Sequence, residues 1–378
     1  MRYFFVAGEQ SGDLHGSNLI RALRKADPDA LIDAWGGDLM EDAGANLLMH
    51  YKKTAFMGFT AVIGNLGTIS MNLRLCRKQI AEAVPDVVIL IDYPAFNLRI
   101  ARFARKNGYR VFYYISPKIW AWKENRVKKI KKYVDRIYTI LPFEKKFYEK
   151  HGLEVEYFGN PLVDEIENRI NSIKETEKNK KNDWQGAQPV IALLPGSRRH
   201  EIEYILPQML KVIPLFPQYM FIVTCVRNIP PEFYKKITGN IPVRLTIDET
   251  YSVLRSADAA LVASGTATLE AALMGTPQVV CYKGDFFSAL IAWMLIRVKY
   301  VSLVNLIMGY EVVKELLQYS LNRKNLVSEL RAILPGGERR EKIFSEYRLL
   351  TEKLGPSGAS VRVAEDMVRR LEGIGDRR

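Results

Sequence analysis

The chain has 378 residues, a formal net charge of +13 and 48% hydrophobic residues, enough for two domains with ordinary cores. Its three cysteines, Cys76, Cys225 and Cys281, are odd in number and far apart, which excludes a disulfide framework and paired metal-ligand spacing and suggests a reducing cytoplasm. The excess positive charge admits nucleic acid, anionic lipid or a phosphorylated substrate, and the first residues, MRYFFVAGE, turn polar too early for a secretory apolar region.

In chain order, Tyr3 to Ala7 reads as a strand, Leu14 to Leu23 as a helix, Val87 to Ile91 as a strand, Leu98 to Lys106 as a helix and Val111 to Ile115 as a strand. Arg136 to Leu141 and Val155 to Phe158 read as two more strands. Such alternation implies a parallel sheet covered on both faces. Glu165 to Gln188 is polar, charged and almost without an apolar stripe, so it reads as a boundary helix and linker. The alternation then restarts with strands at Val190 to Leu194, Met220 to Cys225, Val243 to Ile247, Ala259 to Val262 and Gln278 to Tyr282. Two α/β halves in tandem, without a sequence repeat, would leave a ligand cleft between the carboxyl edges of their sheets.

Two apolar segments raise the question of a membrane. Phe286 to Leu306 has an uninterrupted apolar part, Phe286 to Ile296, of about eleven residues, about half of a spanning helix. It is a buried helix or, with Arg297 and Lys299 at its end, a helix lying on a bilayer. Phe56 to Leu73 is glycine-containing and uncharged, either a close-packed core helix or a lipid-facing one. Much of the basic excess lies in Lys123 to Lys150, a solvated helix face or a surface for phosphate or membrane.

Several stretches carry candidate chemistry. In AGEQSGDLHGSNL, Gly8, Gly12 and Gly16 are four apart, which fits neither the dinucleotide fingerprint nor a P-loop. What remains is a glycine-permitted turn, or one where Glu9, Ser11 and the backbone approach a ligand. Asp92 directly follows an apolar strand and precedes Tyr93-Pro94. At that open sheet edge a partly desolvated carboxylate gains proton affinity, as a general base requires, although a capping aspartate would look the same. LLPGSRRHEIE is a strand, a tight turn and a helix start, so Gly196, Ser197 and Arg198 either hold a phosphate or form a solvated turn. In SGTATLEAAL, Ser264 caps, Gly265 admits a ligand to the backbone, and Thr266, Ala267 and Thr268 open a helix suited to a diphosphate. Glu270, one turn in, can accept hydrogen bonds from a ribose diol. His15, His50, His151 and His200 are scattered without zinc spacing, and Asp27-Pro28-Asp29 reads as a turn on the opposite sheet edge.

Together GEQSGDLHG, IDYPAFN, YYISPKIWAWKENRVKKI, LPFEKKFY, LLPGSRRHEIE, SGTATLEAAL and VSLVNL, in that order, resemble the lipid-A-disaccharide synthase family over roughly residues 3 to 320. The resemblance implies a GT-B fold of two Rossmann-like domains: an acceptor-binding domain at 1–166 containing the apolar stretch, a linker at 167–188, a UDP-sugar domain at 189–350, and a helical segment at 351–378 that crosses back to the first domain. It implies transfer with inversion and without metal or cofactor, from UDP-2,3-diacylglucosamine to 2,3-diacylglucosamine 1-phosphate. Asp92 would be the base, and Arg198 matches the family's essential arginine, with Gly196 and Ser197 on the departing diphosphate. Ser264 to Thr268, Glu270 and Asn305 would complete the nucleotide-sugar site, and Glu9, Ser11 and Gly12 would lie on the acceptor side. Ala95 stands where many relatives carry a second aspartate, so Asp92 would act alone, and Val304 replaces a common proline beside Asn305. Acylated substrates imply a peripheral enzyme on an anionic membrane surface, at the cytoplasmic face of the bacterial inner membrane, with no nucleic-acid partner and a homodimer left open. Two rivals remain: another GT-B enzyme of UDP-sugars, such as a 2-epimerase or a peptidoglycan glycosyltransferase, and a nucleic-acid binder using Tyr113 to Lys150. The second predicts a steep salt dependence and leaves the strand-edge motifs unexplained.

Overall fold

The computed structural model describes residues 1–53, 66–117, 119–122, 124–179, 188–284 and 299–373. Its internal contacts divide the chain into two units, Met1–Pro161 with Pro356–Arg378 as unit 1 and Leu162–Gly355 as unit 2.

Unit 1 is built on seven parallel strands: β1 (Arg2–Ala7), β2 (Leu31–Gly36), β3 (Asn46–His50), β4 (Val87–Ile91), β5 (Arg110–Tyr114), β6 (Arg136–Thr139) and β7 (Glu156–Tyr157), in the spatial order β3-β2-β1-β4-β5-β6-β7. Its helices are α1 (Gln10–Ala26), α2 (Asp38–Asp42), α3 (Leu66–Ala83), α4 (Pro94–Lys106), α5 (Ile119–Trp122), α6 (Val127–Tyr133) and α7 (Pro142–Glu149). Helices lie on both faces, so the central strands need apolar side chains throughout. Tyr3, Phe5, Ala7, Ile89 and Ile91 pack on Leu19 and Leu23 of α1, while Phe4, Val6, Val88 and Leu90 pack on the other face against Cys76, Ile80, Ile100 and Ala104.

Helix α8 (Pro161–Asn179) leads into unit 2, which repeats the architecture with β8 (Val190–Leu194), β9 (Met220–Cys225), β10 (Arg244–Ile247), β11 (Ala257–Ala263), β12 (Gln278–Tyr282) and β13 (Lys314–Leu317), all parallel, ordered β10-β9-β8-β11-β12-β13. Between and after them come α9 (Arg199–Met209), α10 (Pro231–Thr238), α11 (Thr250–Ser256), α12 (Thr266–Leu273), α13 (Leu303–Met308), α14 (Arg323–Ile333) and α15 (Arg340–Leu354). The polar stretch from Glu165 is therefore helical as far as Asn179. The remainder of the expected linker, 180–187, lies outside the described residues, as do most of Phe56 to Leu73 and residues 286–298 of the second apolar segment. No helix among the described residues is long and apolar enough to cross a membrane.

Three strands escape a reading by apolar runs. β2 carries Asp33 in its middle, whose carboxylate accepts a bond from the Asn46 side chain on β3 at 2.7 Å, and β13 opens Lys-Glu. β3 and β13 are edge strands, where polar residues interrupt the apolar run and discourage pairing with a further strand. Asp27 lies, as the turn reading expected, at the amino edge: its carboxylate takes the amino terminus at 2.8 Å and the Tyr3 hydroxyl at 2.9 Å.

The final helix, α16 (Ala359–Leu371), belongs to unit 1, where Val363, Ala364, Met367 and Val368 enter the core beside α1. A polar clasp fixes it. The Tyr138 hydroxyl donates to Asp366 at 3.0 Å, Arg370 Nε donates to the same carboxylate at 2.6 Å, and Arg370 also reaches Glu156 at 2.6 Å. Burial works against the Asp366 charge, but the Arg370, Arg369 and Tyr138 hydrogen bonds prevail and hold its carboxyl below the ordinary aspartate range. A depressed carboxyl stabilises the fold above its unfolded pKa and loses that contribution as pH falls through the folded value. Asp366→Asn is expected to lower unfolding free energy by about 2 kcal/mol at neutral pH. In denaturant titrations the gap to the parent protein should narrow below about pH 4.

Candidate active site

A parallel sheet gathers its loops by edge: every turn leaving a strand's carboxyl end lies on one side. Ligands bind there where neighbouring strands send their connections in opposite directions. In unit 1 that point falls between β1 and β4, and in unit 2 between β8 and β11. Gly8-Glu9 and Asp92-Tyr93 follow the first pair, and Pro195 to Arg198 and Ser264-Gly265 follow the second.

At the unit 1 edge, Asp92 and Tyr93 both adopt left-handed backbone, with φ of 42° and 47°, and Ile115 does the same at 60°. Asp tolerates this region; for a β-branched residue it is an outlier that its surroundings must enforce. The Asp92 amide donates to Ile115 O at 3.2 Å, and the Tyr113 hydroxyl donates to Asp92 O at 2.5 Å. Asn97 Nδ2 lies against three carbonyls at once: Val6 at 3.2 Å, Ile91 at 3.1 Å and Asp92 at 2.9 Å. Pro94 then opens α4 with its φ already suited to the helix. The Tyr93 ring stacks on Phe96 with centroids 5.2 Å apart and occupies the space above Gly8, where a Cβ would fall 2.4 Å from it. Asp92 is thus half-buried on a rigid turn.

The other acceptor-side candidates separate. Glu9 is the half-buried residue preceding α1, and Ser11 is exposed beside it, so both remain at the edge. Gly12 is buried, and a Cβ there would meet the Ala7 side chain at 3.1 Å, so its glycine serves close packing of α1 on the sheet.

At the unit 2 edge, Gly196 has φ +117°, and a Cβ would lie 2.6 Å from Glu201 Oε2. The reason is visible in the loop: Glu201 folds back to accept the Ser197 and Arg198 amides at 3.1 and 3.3 Å. Those two amides are therefore directed at Glu201, so of the expected Gly196 to Arg198 diphosphate site the Arg198 side chain is an exposed donor. The Arg198 side chain is 50% exposed and 3.6 Å from Glu201 Oε1, a surface pairing that a stronger anion displaces at little cost.

The Ser264 to Thr268 turn is also redistributed. Gly265, not Ser264, occupies the cap position, and it brings no side chain to satisfy the helix amides. The Ser264 hydroxyl donates to Val301 O at 2.9 Å. Thr268 is buried, donating to Gly265 O at 2.8 Å and accepting from the Leu303 amide at 3.3 Å. Gly265 and Thr266 are exposed and Ala267 half-buried, which leaves the first turn of α12 open at the sheet edge. Glu270 accepts from the Tyr251 hydroxyl at 3.2 Å; burial raises its carboxyl above the ordinary glutamate range and the nearby Glu165 carboxylate adds to the rise, while the Tyr251 bond opposes it.

Asn305 is fully buried and holds the loop from inside. Its Nδ2 donates to Val313 O at 2.8 Å and Glu315 Oε1 at 2.9 Å, and its Oδ1 accepts the Val312 and Val313 amides at 2.8 and 3.0 Å. No capacity remains for a sugar, so its expected place among the binding residues is corrected to one of shaping the 301–315 loop. Glu315 completes that frame through the Val301 and Ser302 amides at 3.0 and 2.9 Å.

Two Rossmann-like sheets, each with its loops at the switch point, define the class by fold: GT-B. Solved structures share that fold. A UDP-GlcNAc 2-epimerase from Neisseria meningitidis bound to UDP-GlcNAc superposes with a TM-score of 0.67 at 14% identity, covering 98% of this chain and 100% of that one. A calicheamicin glycosyltransferase gives 0.60 at 15% identity, with 98% of both chains covered. The sequence is more specific. The family model described as lipid-A-disaccharide synthetase matches residues 3–364. The lipid-A-disaccharide synthase of Syntrophus aciditrophicus is 40% identical over 95% of both chains, and that of Geobacter sulfurreducens 36% identical over 96% of this chain and 95% of its own. The chain belongs to the lipid-A-disaccharide synthase family, and is a glycosyltransferase.

Residues that the motifs did not single out do much of the positioning: Asn97, Tyr113, Glu201 and Glu315. Glu201 had a readable signal, an acidic residue three positions after the helix cap. Asn97 closes the IDYPAFN stretch but had no signal for its contact with the Val6 carbonyl on β1, and Glu315 had none at all, because its partners Val301, Ser302 and Asn305 lie ten to fourteen residues earlier in the chain. Asn305→Ala would strand the Val312 and Val313 amides, take the side-chain donor from the Val313 carbonyl and remove one of three donors to the Glu315 carboxylate, and is expected to destabilise unit 2 by about 3 kcal/mol, measured by chemical denaturation.

Proposed function

We propose that the enzyme transfers a diacylglucosaminyl group from UDP-2,3-diacylglucosamine to the 6-hydroxyl of 2,3-diacylglucosamine 1-phosphate, with inversion and without a metal ion. The observation that carries the reading is Asp92, a carboxylate on a strained and over-determined turn at the unit 1 switch point. Strain of this kind persists where function requires one geometry. As base, Asp92 removes the acceptor hydroxyl proton while that oxygen attacks the anomeric carbon from the face opposite UDP. One carboxylate suffices for a single displacement, and Ala95 supplies no second.

The leaving diphosphate gains negative charge as the bond breaks, and preorganised donors stabilise that charge most effectively. Arg198 supplies a guanidinium and the first turn of α12 supplies amides beside Gly265. Glu270, held by Tyr251, accepts from the ribose hydroxyls. Glu9 and Ser11 stand on the acceptor side. Acyl chains on both substrates bring the enzyme to the cytoplasmic face of the inner membrane. Helix α6 fits an anionic surface, because Lys128, Lys129, Lys131 and Lys132 are exposed while Val127 and Ile130 are buried. The remaining rival is a GT-B enzyme that consumes the UDP-sugar without an acceptor, as the epimerase neighbours would suggest.

UDP release in detergent and excess EDTA is expected to require both acylated sugars; release without acceptor, or none until magnesium is added, would overturn the reading. Asp92→Asn should lose at least about a thousandfold in turnover, the scale of a removed general base, while UDP affinity by calorimetry stays unchanged. Arg198→Ala should weaken UDP binding by about tenfold or more and slow transfer with it, since a charge-assisted hydrogen bond contributes about 1.5–3 kcal/mol. Unaltered UDP affinity would remove Arg198 from the site.

A further inference from the structure

The carboxylate of Glu144 lies beneath the loop that follows β5, fully buried and outside the mechanism above. It accepts four hydrogen bonds, two on each oxygen. Oε1 takes the Ser116 hydroxyl at 3.1 Å and Trp120 Nε1 at 3.0 Å; Oε2 takes the Ile140 and Leu141 amides at 3.2 and 3.0 Å. Ser116 follows Ile115, the left-handed residue whose carbonyl accepts the Asp92 amide at 3.2 Å and whose own amide donates to Tyr138 O at 3.0 Å. One carboxylate therefore ties the β6–α7 turn to the segment on which the proposed base leans.

We propose that Glu144 is a positioning residue for Asp92, clamping Ser116 and Trp120 so that Ile115 keeps its left-handed backbone and its carbonyl stays on the Asp92 amide. The donor set demands an anion there. Trp120 Nε1–H and the two backbone N–H groups can only donate, and they lie on both oxygens, so both must accept. Burial pushes the carboxyl above the ordinary glutamate range, and the hydrogen bonds from Leu141, Trp120, Ser116 and Ile140 pull it back. Its place in the first turn of α7 adds the favourable end of the helix dipole. Glutamine has the same shape and fails the test of donors: whichever way its amide turns, its NH2 faces at least one N–H.

The inference rests on Asp92 as base, and two readouts keep the claims separable. In full-length Glu144→Gln, hydrogen exchange should quicken in the peptides containing Asp92 and Trp120 and not in those of unit 2. Its kcat should fall by about tenfold or more with donor KM within about twofold, as expected when only transition-state geometry is lost. Ser116→Ala, which removes the link nearest Ile115 and leaves the other three donors, should reproduce a smaller drop of about threefold, and it decides the matter if the glutamine variant does not fold. A folded Glu144→Gln protein with unchanged exchange at Asp92, with unchanged kcat, or with its loss confined to donor KM would overturn the assignment, as would a Ser116→Ala enzyme of parental kcat. If the parent enzyme releases no UDP from these substrates, the functional reading fails, and the exchange comparison still judges the clamp.

Discussion

The turn from β4 into α4 is the constraint on which the carboxyl edge of unit 1 depends. Asp92, Tyr93 and Ile115 each hold a backbone conformation that costs roughly 1–3 kcal/mol away from glycine. A single hydrogen bond stabilises by about 1 kcal/mol net, so no one contact can enforce three such residues. The sheet supplies many: Asn97 on three carbonyls, Tyr113 on a fourth, the Ile115 carbonyl on the Asp92 amide, and a tyrosine ring seated over a glycine. The direction of the Asp92 carboxylate is consequently set by backbone geometry as well as by its own rotamer. A carboxylate positioned this way needs no reorganisation to hold its direction.

Both units solve the same local problem with the same device. A strand ends, the chain turns, and a glutamate in the first turn of the following helix reaches back to the turn's amides: Glu144 to Ile140 and Leu141, Glu201 to Ser197 and Arg198. A carboxylate near a helix amino terminus is favoured by the helix dipole, and each amide it accepts is one fewer left without a partner. The consequences differ with surroundings. Glu144 is buried and its second oxygen is used by side chains, so it behaves as a fixed strut. Glu201 faces an exposed arginine, so the loop keeps a rigid backbone and a guanidinium that remains available to an anion.

The strong positive charge of the chain sits over an interior that uses carboxylates as acceptors. Asp13 receives the Gly37, Leu39 and Met40 amides and so anchors the β2–α2 turn to α1; burial raises its carboxyl, with those three bonds acting against the rise. Glu315 does the same for the loop after residue 300, and Asp366 for the last helix. These anions fix local shape: Asp13 and Glu315 hold loops, and Asp366 holds the last helix against Tyr138.

By itself the sequence determined the fold class and which residues stand at the carboxyl edges of the two sheets, because both depend on local patterns. β4, β8, β9 and β12 run over the very residues that their apolar runs mark, since strands buried on both faces have no polar register to hide in. Asp92, Arg198 and Gly265 were legible because a parallel sheet places whatever follows such a strand at its carboxyl edge. Tertiary structure decided which candidates stay exposed at the sheet edge and which are spent on internal contacts. Gly12 turned inward to admit a helix, Thr268 and Asn305 were consumed by a neighbouring loop, and the Ser197 and Arg198 amides were taken by Glu201. Strand β2, the edge strands β3 and β13, and the clasp of α16 were equally out of reach. In each case the partner lies far along the chain or across a turn, and a hydrogen bond to it leaves no trace in local periodicity.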